Sequence, residues 1–167
     1  WDVVSLVGHN GKNIYYTSTE RSPLNRDLYA VRLNGKSRQL LTPEGGYNTI
    51  APSAGMKYYI RTFSNSQSRN IITVNRADGT TIDTLADRRK AVAAAGRLAK
   101  KEFRQFITER GDTLNYYLQL PHNYDPAKVY PVLLTQYSGP GSQSVANRWG
   151  ADWEDALSRH GYIVACC

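Results

Sequence analysis

The sequence predicts a mixed fold: two blades of an all-β propeller, then the first strands and helix of an α/β domain. Three observations carry this. The stretches "NIYYTSTERSPLNRDLYAVRLNGK" and "KYYIRTFSNSQSRNIITVNRADGT" align at an offset of 43, about the length of one propeller blade. Tyrosine supplies 12 of the 18 aromatic residues, and aromatics suit a pleated, half-buried surface. After residue 86 the pattern changes to strand, loop, helix, strand, the opening of an α/β sheet.

The first copy should hold strands near 1–7, 13–19, 27–33 and 37–42. The second should fill 48–86 and close on "TTIDTLAD". In the alignment Tyr15-Tyr16 fall on Tyr58-Tyr59, Arg26 on Arg69 and Leu28 on Ile71, while Asn34-Gly35 fall one residue short of Asp78-Gly79. Each copy reads as an aromatic strand, a long polar loop, an alternating strand and a tight turn. Asn-Gly and Asp-Gly accept the positive φ that two-residue hairpins need. Two blades cannot close a propeller, which takes four to eight. The chain, which starts on "WDVVSLVG" with a strand in progress, is therefore expected to be a piece of a longer one.

Beyond residue 86, "KAVAAAGRLA" is Ala-rich and suits a short helix or packed connector. "KKEFRQFITERGDTLNYYLQLPHNYD" then reads as a hairpin, with Phe103, Phe106 and Ile107 on one arm and Leu114, Tyr116, Leu118 and Leu120 alternating on the other. Its turn contains Arg110-Gly111-Asp112, an adhesion tripeptide, but turn geometry alone explains Gly111. "PHNYDPAKVYP" is a Pro-bounded loop. "VLLTQY" is a near-continuous apolar run, the mark of a strand covered on both faces. In "WGADWEDALSRHG", Trp149, Trp153, Ala156 and Leu157 recur at helical spacing, with Gly161 as the stop. "YIVACC" is a further short strand.

Bulk properties exclude several classes. The net charge of +7 invites a nucleic-acid reading, yet the excess sits in residues 87–104, seven basic against two acidic. No nucleic-acid-binding signature accompanies it. Cys166 and Cys167 are adjacent, and neighbouring cysteines rarely bridge. With no CxxC or Cys/His spacing, neither a disulfide framework nor zinc is indicated. No stretch approaches the ~20 apolar residues of a membrane span, and no signal peptide opens the chain. No Asn-x-Ser/Thr sequon occurs, which argues against a glycosylated ectodomain.

Few residues offer chemistry. His9, His122 and His160 each fall in an expected turn or at a helix end and read as solvated or capping. No Gly-x-Ser-x-Gly elbow, Gly-x-Gly-x-x-Gly or phosphate loop is present, and Ser142 reads as a loop residue. Tyr137 stands apart. It ends an apolar strand and meets Ser-Gly-Pro-Gly. In open α/β sheets ligands collect outside the carboxyl ends of the strands. A phenol there could donate to a developing oxyanion, or could equally cap the core with its hydroxyl in water.

A tyrosine-rich blade, then "YYLQLPHNYDPAKVYPVLLTQYSGPGSQ", then a Trp-containing helix, resembles the dipeptidyl peptidase IV-like serine peptidases of the prolyl oligopeptidase family. The resemblance spans essentially the whole chain and implies two regions. Residues 1–86 would be the last two blades of a β-propeller. Residues 87–167 would be a connector and the N-terminal part of an α/β-hydrolase (peptidase) domain. It implies an exopeptidase releasing N-terminal dipeptides of the Xaa-Pro or Xaa-Ala type by acyl-enzyme hydrolysis. Partners would be peptides with a free N-terminus, without nucleic acid and without any metal or organic cofactor.

The one catalytic residue the resemblance carries over is Tyr137, as oxyanion-hole donor. The nucleophilic Ser, the Asp and the His would lie beyond residue 167, and the glutamates gripping the substrate's amino terminus before residue 1, so 1–167 alone should be inactive. Such relatives are often homodimers, and bacterial ones are often exported to the periplasm. The family usually continues into "DGRG" where this chain has Cys166-Cys167. Two alternatives stay open. One is a non-catalytic propeller/hydrolase-like binding protein; the other is a sibling acylaminoacyl peptidase or oligopeptidase.

Overall fold

The computed structural model describes residues 1–89, 101–137, 139, 141–150 and 153–167. The Ala-rich "KAVAAAGRLA" lies outside the described residues. The chain forms two compact units: Trp1–Ala91 with Ala146–Trp149, and Val92–Val145 with Gly150–Cys167. It is mostly β-sheet, with one short α-helix among the described residues. No helix among them is long and apolar enough to cross a membrane.

The first unit holds two four-stranded antiparallel meanders, consistent with propeller blades. One comprises β1 (Val3–His9), β2 (Asn13–Ser18), β3 (Asp27–Arg32) and β4 (Gln39–Leu40). The other comprises β5 (Tyr47–Pro52), β6 (Tyr58–Asn65), β7 (Ser68–Arg76) and β8 (Thr81–Asp87). In each, strands pair in sequence order. The core is a cluster of Tyr15, Leu28, Ala30, Leu41, Met56 and Tyr59, with Val7, Ile50 and Ala77 packed against it.

That cluster corrects the repeat. The tyrosines of this cluster are Tyr15 and Tyr59, 1% and 2% exposed; Tyr16 is buried outside it, while Tyr58 is 45% exposed. The structural offset is thus 44 rather than 43, and Arg32 to Arg76 and Gly35 to Gly79 obey it too. Side chains alternate along a strand, so a one-residue slip exchanges the buried face for the exposed one.

The turns also differ in type from the expected two-residue hairpins. Arg32 N–H donates to the Lys36 carbonyl and Gly35 N–H to the Arg32 carbonyl. Arg76, Gly79 and Thr80 repeat this arrangement. These are three-residue loops in which only the glycine is left-handed, at φ +77° and +95°. Asn34 and Asp78 instead use their side-chain oxygens to accept the Lys36 and Thr80 N–H groups. The second copy also lacks the expected long polar loop. β6 and β7 run through it to a tight turn in which Asn65 Oδ1 accepts the Gln67 N–H.

The meanders join at Arg26–Tyr47, where Arg26 N–H donates to the Gly46 carbonyl at 3.0 Å. Glycine is required at 46 because an added Cβ would lie 2.5 Å from Ser64 O and 2.6 Å from Phe63 Cε2. Gly46→Ala should cost about 1–3 kcal/mol, the usual penalty of overpacking, read by denaturant unfolding of the intact protein. A loss below about 0.5 kcal/mol would refute this steric account.

The second unit is a mixed four-stranded sheet of β9 (Lys101–Ile107), β10 (Thr113–Gln119), β11 (Val132–Thr135) and β12 (Ile163–Cys166), in the order β11-β12-β10-β9. β11 and β12 are parallel; the other pairs are antiparallel. The β9–β10 turn closes as the blade hairpins do, with Gly111 at φ +87° and Thr108 N–H donating to the Asp112 carbonyl. Among the described residues β11 is an edge strand, and Val132 and Leu134 are 62% and 63% exposed. The covering expected on both its faces is not met among the described residues.

Helix α1 (Trp153–Arg159) connects β11 to β12. It ends in a Schellman motif: Tyr162 N–H donates to the Leu157 carbonyl and Gly161 N–H to the Ser158 carbonyl, with Gly161 at φ +85°. Its orientation departs from expectation. Trp149 lies outside it, Trp153 is half exposed, and the buried positions are Glu154, Asp155 and Ser158. The helix turns a polar face inward because the sheet beneath offers polar partners.

Candidate functional site

Two residues past the end of β11, Tyr137 lies at the carboxyl rim of the parallel pair. There Thr135 stands level with Cys166, and Cys167 N–H donates to the Thr135 carbonyl. The side chain is 69% exposed, so the phenol does not plug the core. Its ring lies over Gly139. A Cβ added there would sit 2.9 Å from Tyr137 Cε1 and from its Oη. Only glycine leaves room for the ring in this position. Further on, Ser142 N–H donates to the Gly139 carbonyl at 3.0 Å, with Gly141 at φ +72°, the left-handed value that a type II turn places at its third residue. The rim thus presents a phenol hydroxyl on a loop whose glycines turn the backbone beneath it.

Behind the rim the helix is fastened by buried polar groups. Tyr117, 5% exposed, donates its hydroxyl to Glu154 Oε1 at 2.5 Å. Lys101 Nζ pairs with Glu154 Oε2 at 3.1 Å and sits 4.4 Å from the centre of the Tyr117 ring. Asp155 pairs with Arg159 at 2.9 Å and lies 3.9 Å from His122 Nε2. Paired in this way, two carboxylates can be buried that would otherwise shift their protonation or melt the helix.

Burial, aided by the bond to Glu154, pushes the Tyr117 phenol well above its ordinary value of 10.0. The folded phenol therefore keeps its proton where an unfolded one would lose it. This contribution to stability is present below pH 10 and is lost as pH rises above it toward the folded value. In the intact protein, Tyr117→Phe should flatten the fall in stability between pH 9 and pH 11, compared by denaturant midpoints. Identical slopes for the two proteins would disprove the assignment.

The histidines divide. His160 Nδ1 meets the Ala156 carbonyl at 2.8 Å, a cap on the helix end. His9 ends β1 in an exposed position. His122 departs from expectation: it is neither solvated nor capping but half-buried beside Asp155. Among the described residues no three His, Cys, Asp or Glu side chains are grouped to hold a metal ion. Sequence reading also missed Glu154, Asp155 and Tyr117. A usable signal was the spacing of Glu154 and Ser158, four apart on one helix face.

A second missed element is Ala146–Trp149, which groups with the first unit although both flanking segments belong to the second. Asn147 N–H donates to the Leu24 carbonyl at 2.8 Å. Its side-chain Oδ1 accepts the Ser66 N–H at 3.0 Å, and its Nδ2 donates to Asn25 Oδ1 at 3.3 Å. Trp149 N–H donates to Ser64 Oγ, Arg69 stands over the Trp149 ring, and Arg148 stands over Tyr47.

Comparison with known proteins agrees with this architecture. The family model described as the dipeptidyl peptidase IV (DPP IV) N-terminal region matches residues 1–69. A probable dipeptidyl-aminopeptidase B of Podospora anserina is 31% identical over 98% of this chain and 19% of its own length. Dipeptidyl peptidase 4 of Trichophyton rubrum is 32% identical over 90% of this chain and 20% of its own. The crystal structure of Porphyromonas gingivalis dipeptidyl peptidase 4 superposes with a TM-score of 0.90 at 36% identity, covering 99% of this chain and 24% of that one. The chain spans about a fifth of the length of the curated relatives it matches. With blade-like meanders, near-complete sequence coverage and this superposition in agreement, the chain is a dipeptidyl peptidase IV-like segment.

Proposed function

We propose that the protein containing this chain is a serine exopeptidase that removes N-terminal dipeptides, and that Tyr137 donates a hydrogen bond to the tetrahedral oxyanion. On this reading the blade unit is the end of a β-propeller and the mixed-sheet unit the start of an α/β-hydrolase domain. The relatives' names as dipeptidyl peptidases support the reaction class. The observation that carries the role of Tyr137 is its exposed phenol at the carboxyl end of β11, on the loop between the unit's third strand and its helix. α/β-Hydrolases take one oxyanion donor from the corresponding loop.

The chemistry follows from position. A serine hydroxyl adds to the scissile carbonyl, its proton passing to a histidine. The carbonyl oxygen takes up the negative charge, and a phenol O–H aimed at it stabilises the charged state more than the neutral carbonyl. Collapse of the intermediate expels the new amine, which receives the proton from the histidine, and water then releases the dipeptide from the acyl-enzyme. Tyr137 gives up no proton in this cycle.

Kinetics of Tyr137→Phe on a Pro-type dipeptide chromogenic substrate test the reading. Gly139→Ala provides a second arm, because its methyl group displaces the ring without removing the hydroxyl. It should lower kcat at least tenfold, within the ~10² cost of a misplacement of about 1 Å. Full activity in Gly139→Ala would detach the ring's placement from catalysis.

A further inference from the structure

The turn between β9 and β10 carries a motif that the peptidase reading leaves unused, Arg110-Gly111-Asp112. It closes as the two blade turns do, so the three turns compare position by position. In each, the N–H of the first residue donates to the carbonyl of the fifth, and the left-handed glycine donates its N–H to the carbonyl of the first. In the blade turns the residue before the glycine, Asn34 or Asp78, also accepts the N–H of Lys36 or Thr80 on its side-chain oxygen. Arg110 holds that position here, and a guanidinium has no acceptor. Another residue makes the bond instead: Thr108 Oγ1 accepts the Asp112 N–H at 3.1 Å.

The turn thus depends on its glycine and its threonine, and on neither charged side chain. Arg110 and Asp112 are both exposed. Neither side chain makes a hydrogen bond or ion pair among the described residues, with the other or with anything else. Below them β9 and β10 pair at seven consecutive positions, from Lys101–Gln119 to Ile107–Thr113. A guanidinium and a carboxylate therefore flank a left-handed glycine at the tip of a closed hairpin. Such a loop is already ordered by its own bonds, which leaves it little conformational entropy to lose on binding.

We infer that this tip is an adhesion ligand, and that its partner is a cell-surface receptor reading the tripeptide by two chemistries at once. A divalent cation held by the receptor, a hard ion that takes oxygen ligands, receives the Asp112 carboxylate. An acidic groove beside it receives the Arg110 guanidinium through charge-assisted hydrogen bonds. The inference is independent of the role proposed for Tyr137.

The test uses the full-length protein, immobilised, and a purified integrin ectodomain that binds Arg-Gly-Asp peptides, with Mg2+ present. Saturable binding is expected. It should be lost when the metal is chelated, and a linear Arg-Gly-Asp peptide should compete where an Arg-Gly-Glu peptide does not. Asp112→Glu keeps the charge and the backbone closure but carries the carboxylate one methylene further out. It should weaken binding at least about tenfold. Arg110→Asn installs the residue that the first blade turn carries, so hydrogen-exchange protection of the Thr108 and Gly111 amides should persist while binding falls by a similar factor. That variant separates loss of the ligand from loss of the fold. No saturable binding by the unaltered protein overturns the inference. Binding that survives chelation, which is charge attraction alone, overturns it too, and so does full binding by Asp112→Glu or by Arg110→Asn.

Discussion

On the oxyanion role proposed for Tyr137, Tyr137→Phe in the full-length protein is expected to lower kcat by roughly 10²–10³, about 2.7–4 kcal/mol of lost transition-state stabilisation. KM and folding should change little. The argument is one of differential binding. The hydroxyl is exposed at the rim, so its loss leaves no buried group unsatisfied and costs the fold almost nothing. In the ground state the substrate carbonyl is a neutral acceptor of modest strength. In the transition state it carries a near-full charge and the bond becomes charge-assisted, about twice as strong. A donor important only at that stage appears in kcat rather than in KM. A Phe variant that retains full kcat would eliminate the role, and one that loses only KM would turn Tyr137 into a substrate-binding residue.

The second large effect is structural. Arg21→Met should destabilise the first meander by about 3 kcal/mol, the lower end of the cost of orphaning a buried charge. Asp27 is fully buried and is held by two 2.8 Å bonds from Arg21, Nε to Oδ2 and Nη2 to Oδ1. The same guanidinium donates to the Pro43 and Thr42 carbonyls, tying the loop after β2 to the chain beyond β4. The bond to Asp27 also raises the Arg21 pKa further. Without Arg21, Asp27 keeps its burial and loses its counter-charge. The lower end applies because the Arg21 side chain is 34% exposed and water already screens the pair. Hydrogen exchange of the β2 and β3 amides should accelerate together, with Asp27→Asn in the Arg21→Met background recovering part of the loss. Unaltered protection would mean that the pair contributes nothing net.

The rim and the turns were legible for a common reason. Asn34-Gly35, Asp78-Gly79, Gly111 and Gly161 each close a loop through bonds reaching at most a few residues along the chain. The Tyr-to-Gly break after "VLLTQ" likewise marks a strand end by local chemistry alone. The helix face was misread because Trp153, Ala156 and Leu157 are apolar at helical spacing. Which face turns inward depended on Lys101 and Tyr117, more than thirty residues earlier. The tyrosine phase was misread because Tyr15-Tyr16 match Tyr58-Tyr59 twice at an offset of 43 and only once at 44, and only packing shows that Tyr15 and Tyr59 share the core position.

By itself, then, the sequence determined the four-strand repeat, the glycine turns, a strand ending just before Tyr137 and the kinship with dipeptidyl peptidase IV-like proteins. Each of these is written in residues that are neighbours or in a repeated pattern. The tertiary structure alone decided the polar inward face of α1, the half-buried placement of His122 near Asp155 and the bonding of Asn147 to Leu24, Asn25 and Ser66. Bonds such as Ser66 to Asn147 and Asn147 to Asn25 join residues 81 and 122 positions apart. No local pattern encodes such a partner, because the free energy that selects it arises only when two distant segments lose their water together.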